Sequence, residues 1–159
     1  MKENNSNNNI ETFSKFGNNF QQKLAKQIAV ERTFADQIKE VLQPEMFELK
    51  YLQHFVKAIF SYKDKYEVHP SLQILDSILK TEYSSETNTL DQQIKEFYTS
   101  IVTEVNNSSI TDSDDTEYVK DTALDFCKKQ HLKGAIIKSI DLLQHASFDE
   151  IFNFLEELR

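Results

Sequence analysis

Glu45-Met-Phe-Glu-Leu-Lys-Tyr-Leu-Gln-His-Phe-Val-Lys-Ala-Ile-Phe-Ser-Tyr-Lys-Asp-Lys-Tyr66 is the stretch that decides the fold class. Leu52, Phe55, Val56, Ile59 and Phe60 fall at i, i+3, i+4, i+7 and i+8, one stripe of an α-helix with Gln53, His54 and Lys57 between. The stripe predicts a helix running from Glu45 to Tyr66 and packed on one face. Upstream, Phe20, Leu24 and Ile28 recur every four residues with Ala25 and Ala29 beside them, which predicts a first helix. Thr33 is an N-cap candidate for a second, through Phe34, Ile38, Val41 and Leu42, which Pro44 terminates.

Downstream, Pro70 disfavours helical geometry at His69, and Ser71 can cap a short helix carrying Leu72, Ile74, Leu75, Ile78 and Leu79. A polar loop from Thr81 to Asn88 precedes the stripe Leu90, Ile94, Phe97, Tyr98, Ile101, Val102 and Val105, which stops near Asn106. A Ser/Asp/Asn-rich loop from Asn107 to Asp115 leads to a long helix from Thr116 to about Gln144, in which Gly134 marks a bend or close packing. Ser147-Phe-Asp-Glu150 matches a capping box and opens a final helix from Phe148 to Leu158. The first seventeen residues, with five asparagines in the first nine, read as a mobile arm. The expected organisation is an arm over 1–17, an all-α bundle of about six helices over 18–145, and a linker-like helix over 146–159.

Composition agrees. An average chain of 159 residues has about 11 glycines and 8 prolines, and this one has two of each, too few for the turns of a sandwich or barrel. The net charge of −8 disfavours a phosphate-neutralising surface, so direct nucleic-acid binding is not expected. Cys127 is the single cysteine, which excludes an internal disulfide and fits a reducing compartment, the cytoplasm. No run approaches the ~18 apolar residues of a membrane span.

No residue set carries catalysis. There is no Gly-x-x-x-x-Gly-Lys-Ser/Thr loop, and Gly17 and Gly134 are too far apart for a phosphate cradle. His54, His69, His131 and His145 are scattered, and Asp112, Asp114, Asp115 and Glu117 lack the glycine and distal glutamate of a calcium loop, so no metal or other cofactor is expected. Cys127 and His131 share a helix face, which reads as a semi-buried thiol beside a surface imidazole. Ser14, Ser71 and Ser147 sit in no nucleophile elbow. Lys57, Lys63 and Lys65, and Lys128, Lys129, Lys133 and Lys138, read as solvated faces. What stands out is the last helix, where Ile151, Phe152, Leu155 and Leu158 form one stripe and Phe154 adds apolar surface on another side. Two coverings fit equally: another chain, or the bundle itself.

Three strings resemble the N-terminal domain of DnaB-like replicative helicases, especially those of T-even-like phages. They are Phe20-Gln-Gln-Lys-Leu-Ala-Lys-Gln-Ile28; Phe34-Ala-Asp-Gln-Ile38 with Val41-Leu-Gln-Pro-Glu-Met-Phe47; and Ile59-Phe60 through Tyr66 with His69-Pro-Ser71 and Leu75 to Leu79. The resemblance spans about Phe20 to Arg159. It implies a non-catalytic domain in the collar of a ring helicase, associating with copies of itself and receiving primase or a helicase loader. It also implies that the last helix, with Ile151, Phe152, Phe154, Leu155 and Leu158, is a partner-binding linker. The ATPase motor of such a helicase has no counterpart in these residues. The alternative is a free-standing helical adaptor or viral regulator that binds a host protein.

Overall fold

The computed structural model describes residues 10–107, 115–145 and 148–158. Those residues form seven α-helices and two short 3-10 helices, with no strand among them. The all-α bundle is therefore as the periodicity predicts.

The helix carrying the deciding stripe, α3 (Lys50–Tyr66), is central: α1 (Asn18–Val30), α4 (Leu72–Glu82) and α5 (Thr89–Asn106) all pack on it. Leu52, Phe55, Val56 and Ile59 are fully enclosed. It begins later than the sequence suggests. Pro44–Met46 is a separate 3-10 helix and Phe47 is extended, because the Phe47 carbonyl accepts a bond from the Gln53 side chain (2.6 Å). Buried Gln21 of α1 then accepts from the backbone N–H groups of Glu48 (2.8 Å) and Leu49 (3.3 Å). One enclosed amide thus satisfies donors that would otherwise be orphaned at the approach to α3.

The boundary between α1 and α2 (Arg32–Lys39) is also set by the backbone. Glu31 is extended (φ −117°, ψ 97°) and occupies the N-cap position without a side-chain bond, so Thr33 lies inside α2 rather than capping it. Leu42 stays in the core beyond the helix end, its N–H bonded to the Ile38 carbonyl. The Ser71 cap is present, its hydroxyl accepting from Ile74 N–H at 3.2 Å. Asn88 caps α5 in the same way through Leu90 N–H at 2.9 Å, and α4 runs on to Glu82, shortening the expected loop.

The largest departure is at the start of the chain. Within the expected arm, Phe13–Phe16 is a 3-10 helix opened by the Thr12 side chain, and Phe13 is fully enclosed. Its ring lies 5.0 Å from Phe126, 5.2 Å from Phe47 and 6.2 Å from Phe20. Residues 10–17 belong to the domain; the rest of the expected arm, 1–9, lies outside the described residues. Composition misses this because Ile10, Phe13 and Phe16 together pack apolar surface against the core, with Phe13 fully enclosed, and that shared burial works against the ordering entropy of the segment.

The long helix α6 (Asp115–His145) packs on α1 and α2, and α7 (Phe148–Glu157) packs on α6. A Cβ at Gly134 would meet nothing within 4 Å, so close packing is not what Gly134 serves. The expected capping box at Ser147 and the loop carboxylates Asp112 and Asp114 lie outside the described residues.

One polar network crosses the bundle. Lys63, 7 % exposed, pairs with Asp36 of α2, and His69 donates from Nε2 to the Ala29 carbonyl (2.7 Å) while Nδ1 accepts from Lys63 (3.3 Å). His69 is held below its ordinary value, first by burial and then by the Lys63 and Arg32 charges, against the opposing pull of the Ala29 bond and Asp36. Protonation would place an Nδ1–H against the Lys63 ammonium. Because the folded value lies below the unfolded ~6.5, this contribution is complete above ~6.5 and is lost as pH falls toward the folded value. Thermal melts from pH 7.5 to 5 should therefore show a wild-type advantage over His69→Gln that shrinks on acidification. An advantage that does not vary with pH contradicts the neutral, bonded imidazole.

Candidate functional site

No residue of α6 beyond Cys127 is buried. The helix leaves the bundle there and projects about 27 Å further, ending in the turn that returns as α7. α7 likewise has no buried residue.

The two helices nonetheless share a seam. In the distal half of α6 the half-buried positions are Ala135, Ser139 and Leu142, spaced i, i+4, i+7; in α7 they are Ile151 and Phe154. The Lys138 ammonium lies 4.7 Å from the centre of the Phe154 ring. The five residues expected to contact a partner are therefore divided by the fold. Ile151 and Phe154 are turned in part toward α6, and Phe152, Leu155 and Leu158 remain about half exposed. Covering by the chain itself is partial, and α7 packs against α6.

Outside the seam lies an apolar surface that sequence reading attributed only to α7. Leu132 (60 % exposed), Ile136, Ile140 and Leu143 (67 %) recur at i, i+4, i+8 and i+11 along α6, with Ile137 beside them, and Phe148 (78 %) begins α7. The signal was present in the sequence. It was hidden because α6 is apolar on the bundle side in its first half and on other sides in its second, so that no stripe persists through the whole helix. Monomeric proteins rarely leave contiguous patches of this kind uncovered, and they mark interaction sites.

The hairpin is also polarised. Distal α6, from Lys128 to His145, carries Lys128, Lys129, Lys133 and Lys138 against one acid, Asp141; α7 carries Asp149, Glu150, Glu156 and Glu157 and no Lys or Arg.

The remaining candidates are explained by packing. Cys127 is enclosed, its thiol pushed up to about 12 by burial, and Sγ lies 3.7 Å from Met46 Sδ; His131 is exposed, so the pair supplies no thiolate. Among the lysines, Lys63 pairs with Asp36, Lys65 lies over Tyr66, Lys129 pairs with Asp125 and Lys133 with Glu11. No group of three or more metal-ligating side chains occurs among the described residues. Asp115 pairs with Lys23, and Glu117 with Lys120. A groove of about 800 Å³ lies between α1 and α5 over Tyr51, Phe97 and Val119. Its two lysines, Lys23 and Lys26, are tied to Asp115 and Glu104. Among the described residues no helix is long and apolar enough to cross a membrane.

No protein-family profile, curated protein or solved structure matches this chain.

Proposed function

We propose that this chain is a non-catalytic assembly and docking domain, and that the α6–α7 hairpin is its working surface. The observation that carries the reading is the exposed apolar face of Leu132, Ile136, Ile140 and Leu143 with Phe148, Phe152 and Leu155, on a hairpin that has no buried residue beyond Cys127. The occupant we assign is a second copy. A two-fold axis through the hairpin sets the acidic α7 of one chain against the basic distal α6 of the other, so one patch supplies both halves of the charge match.

The resemblance of Phe20 to Phe47 and of Ile59 to Leu79 to DnaB-like helicases supplies the setting: the collar of a hexameric replicative DNA helicase in a bacterial or phage-infected cytoplasm. Self-association there contributes to ring assembly, and primase or a helicase loader is the heterologous partner. The chain contributes no ATP hydrolysis in this reading, since no phosphate loop is present in its residues.

Sedimentation across concentration and salt tests it. Wild type should self-associate reversibly and more weakly at 0.5 M salt, as screening removes the charge match but leaves the apolar contact. Ile136→Asp combined with Phe152→Asp buries uncompensated charge in the interface, and should weaken association about tenfold or more. A wild-type chain that stays monomeric at high concentration, or a double variant that associates as well as wild type, would reject the hairpin as a self-docking surface.

A further inference from the structure

We infer that Ile10–Phe16 is a strap that fixes the direction in which α6 leaves the bundle, with Glu11 and Phe16 as its positioning residues. The value of this direction to the protein rests on the docking role of the hairpin; the geometry of the strap does not. Cys127 marks the last enclosed turn of α6, and beyond it the helix gains nothing from the core. The strap grips that turn. Phe13 and Phe16 lie 5.0 and 5.6 Å from the Phe126 ring, Phe16 also stacks on Phe20 of α1 at 4.7 Å, and the Lys15 ammonium lies 5.0 Å from the Phe126 ring centre.

Glu11 then reaches past the core. Its two oxygens accept from Gln130 Nε2 (2.9 Å) and Lys133 Nζ (3.2 Å), one and two turns beyond the last buried residue. A helix held only at one end pivots about its final packed turn, and small rotations there grow with distance along the projecting arm. Two bonds placed beyond the pivot oppose that rotation even though each is exposed and contributes little to stability. Phe13 anchors the strap in the core against Phe47, which precedes α3, so the hairpin is referred to the centre of the bundle rather than to α1 alone.

Spin labels at Lys57→Cys on α3 and Gln144→Cys near the end of α6 give the distance distribution between bundle and arm. Both sites are exposed, whereas Cys127 is fully enclosed. The labelled chain should give one narrow distribution. Glu11→Gln with Phe16→Ala, which leaves Phe13 in place, should at least double its width while the bundle still melts cooperatively. Glu11→Lys, a charge reversal that touches no core residue, should broaden it in the same direction and serves if the double variant fails to fold. An unchanged distribution in Glu11→Lys together with an unchanged distribution in a folded double variant would overturn the strap. Sedimentation of the same proteins separates the two ideas: broadening in a chain that never self-associates upholds the strap and rejects the docking role, whereas self-association with no broadening does the reverse.

Discussion

Phe13→Ala is expected to cost about 3 to 5 kcal/mol, and to lower the melting temperature by roughly 10 °C or more. The ring is fully enclosed among Phe20, Phe47 and Phe126, which come from three different parts of the chain, so no single neighbour can move to fill the space it leaves. Phe55→Ala, on α3 where Phe97 meets Phe55 edge-on at 4.9 Å, should cost a similar amount. The two substitutions differ in what they test. Loss at Phe55 follows from the stripe on α3, whereas loss at Phe13 follows only from the tertiary structure. Equal melts for wild type and Phe13→Ala would return residues 10–17 to the status of an arm.

A chain ending at His145 should keep the cooperative melt of the bundle to within about 2 °C and lose self-association. The reason is where the buried surface lies. α7 contributes no enclosed side chain, and its seam with α6 involves only Ile151 and Phe154 in part, on a segment of α6 that is itself outside the core. An isolated helix of ten residues is marginal in water, so α7 depends on that seam and on whatever covers its other side. Calorimetry and sedimentation on the two lengths decide the point. A shortened chain that melts far earlier, from a full-length chain that is monomeric, would make α7 part of the bundle and end the docking reading.

Much of the fold is legible in local pattern. The stripes of α3 and α5, the Ser71 cap and the stop near Asn106 all follow from helical period and side-chain chemistry that act within a few residues. Helix starts depart from local pattern where backbone groups are bonded outside the helix or the backbone turns extended. Glu45 to Tyr66 is periodic throughout, yet Gln53 takes the Phe47 carbonyl and Gln21 takes the N–H groups of Glu48 and Leu49, so the helix starts at Lys50. Thr33 has a capping side chain, but the chain turns at Glu31, where no side chain caps. The hairpin surface was half legible. Phe152, Leu155 and Leu158 are legible because α7 is short and amphipathic; Leu132, Ile136, Ile140 and Leu143 are not, because the apolar face of α6 changes side between its buried and its exposed half, so that no single stripe runs its length.

Residue order alone is enough to give the helical class and the apolar faces of α1, α3, α4 and α5, and it contains neither a Gly-x-x-x-x-Gly-Lys-Ser/Thr nor a Gly-x-Ser-x-Gly string. Those properties depend on residue type and short-range spacing, which are complete before the chain folds. Packing between elements is what makes Phe13 core, buries Lys63 against Asp36 and His69, and half-covers Ile151 and Phe154 while leaving Phe152 and Leu155 exposed. Each of these depends on which element comes to lie beside which. Burial is a property of the pair of surfaces, and a periodic stripe states that a face needs covering without stating what covers it.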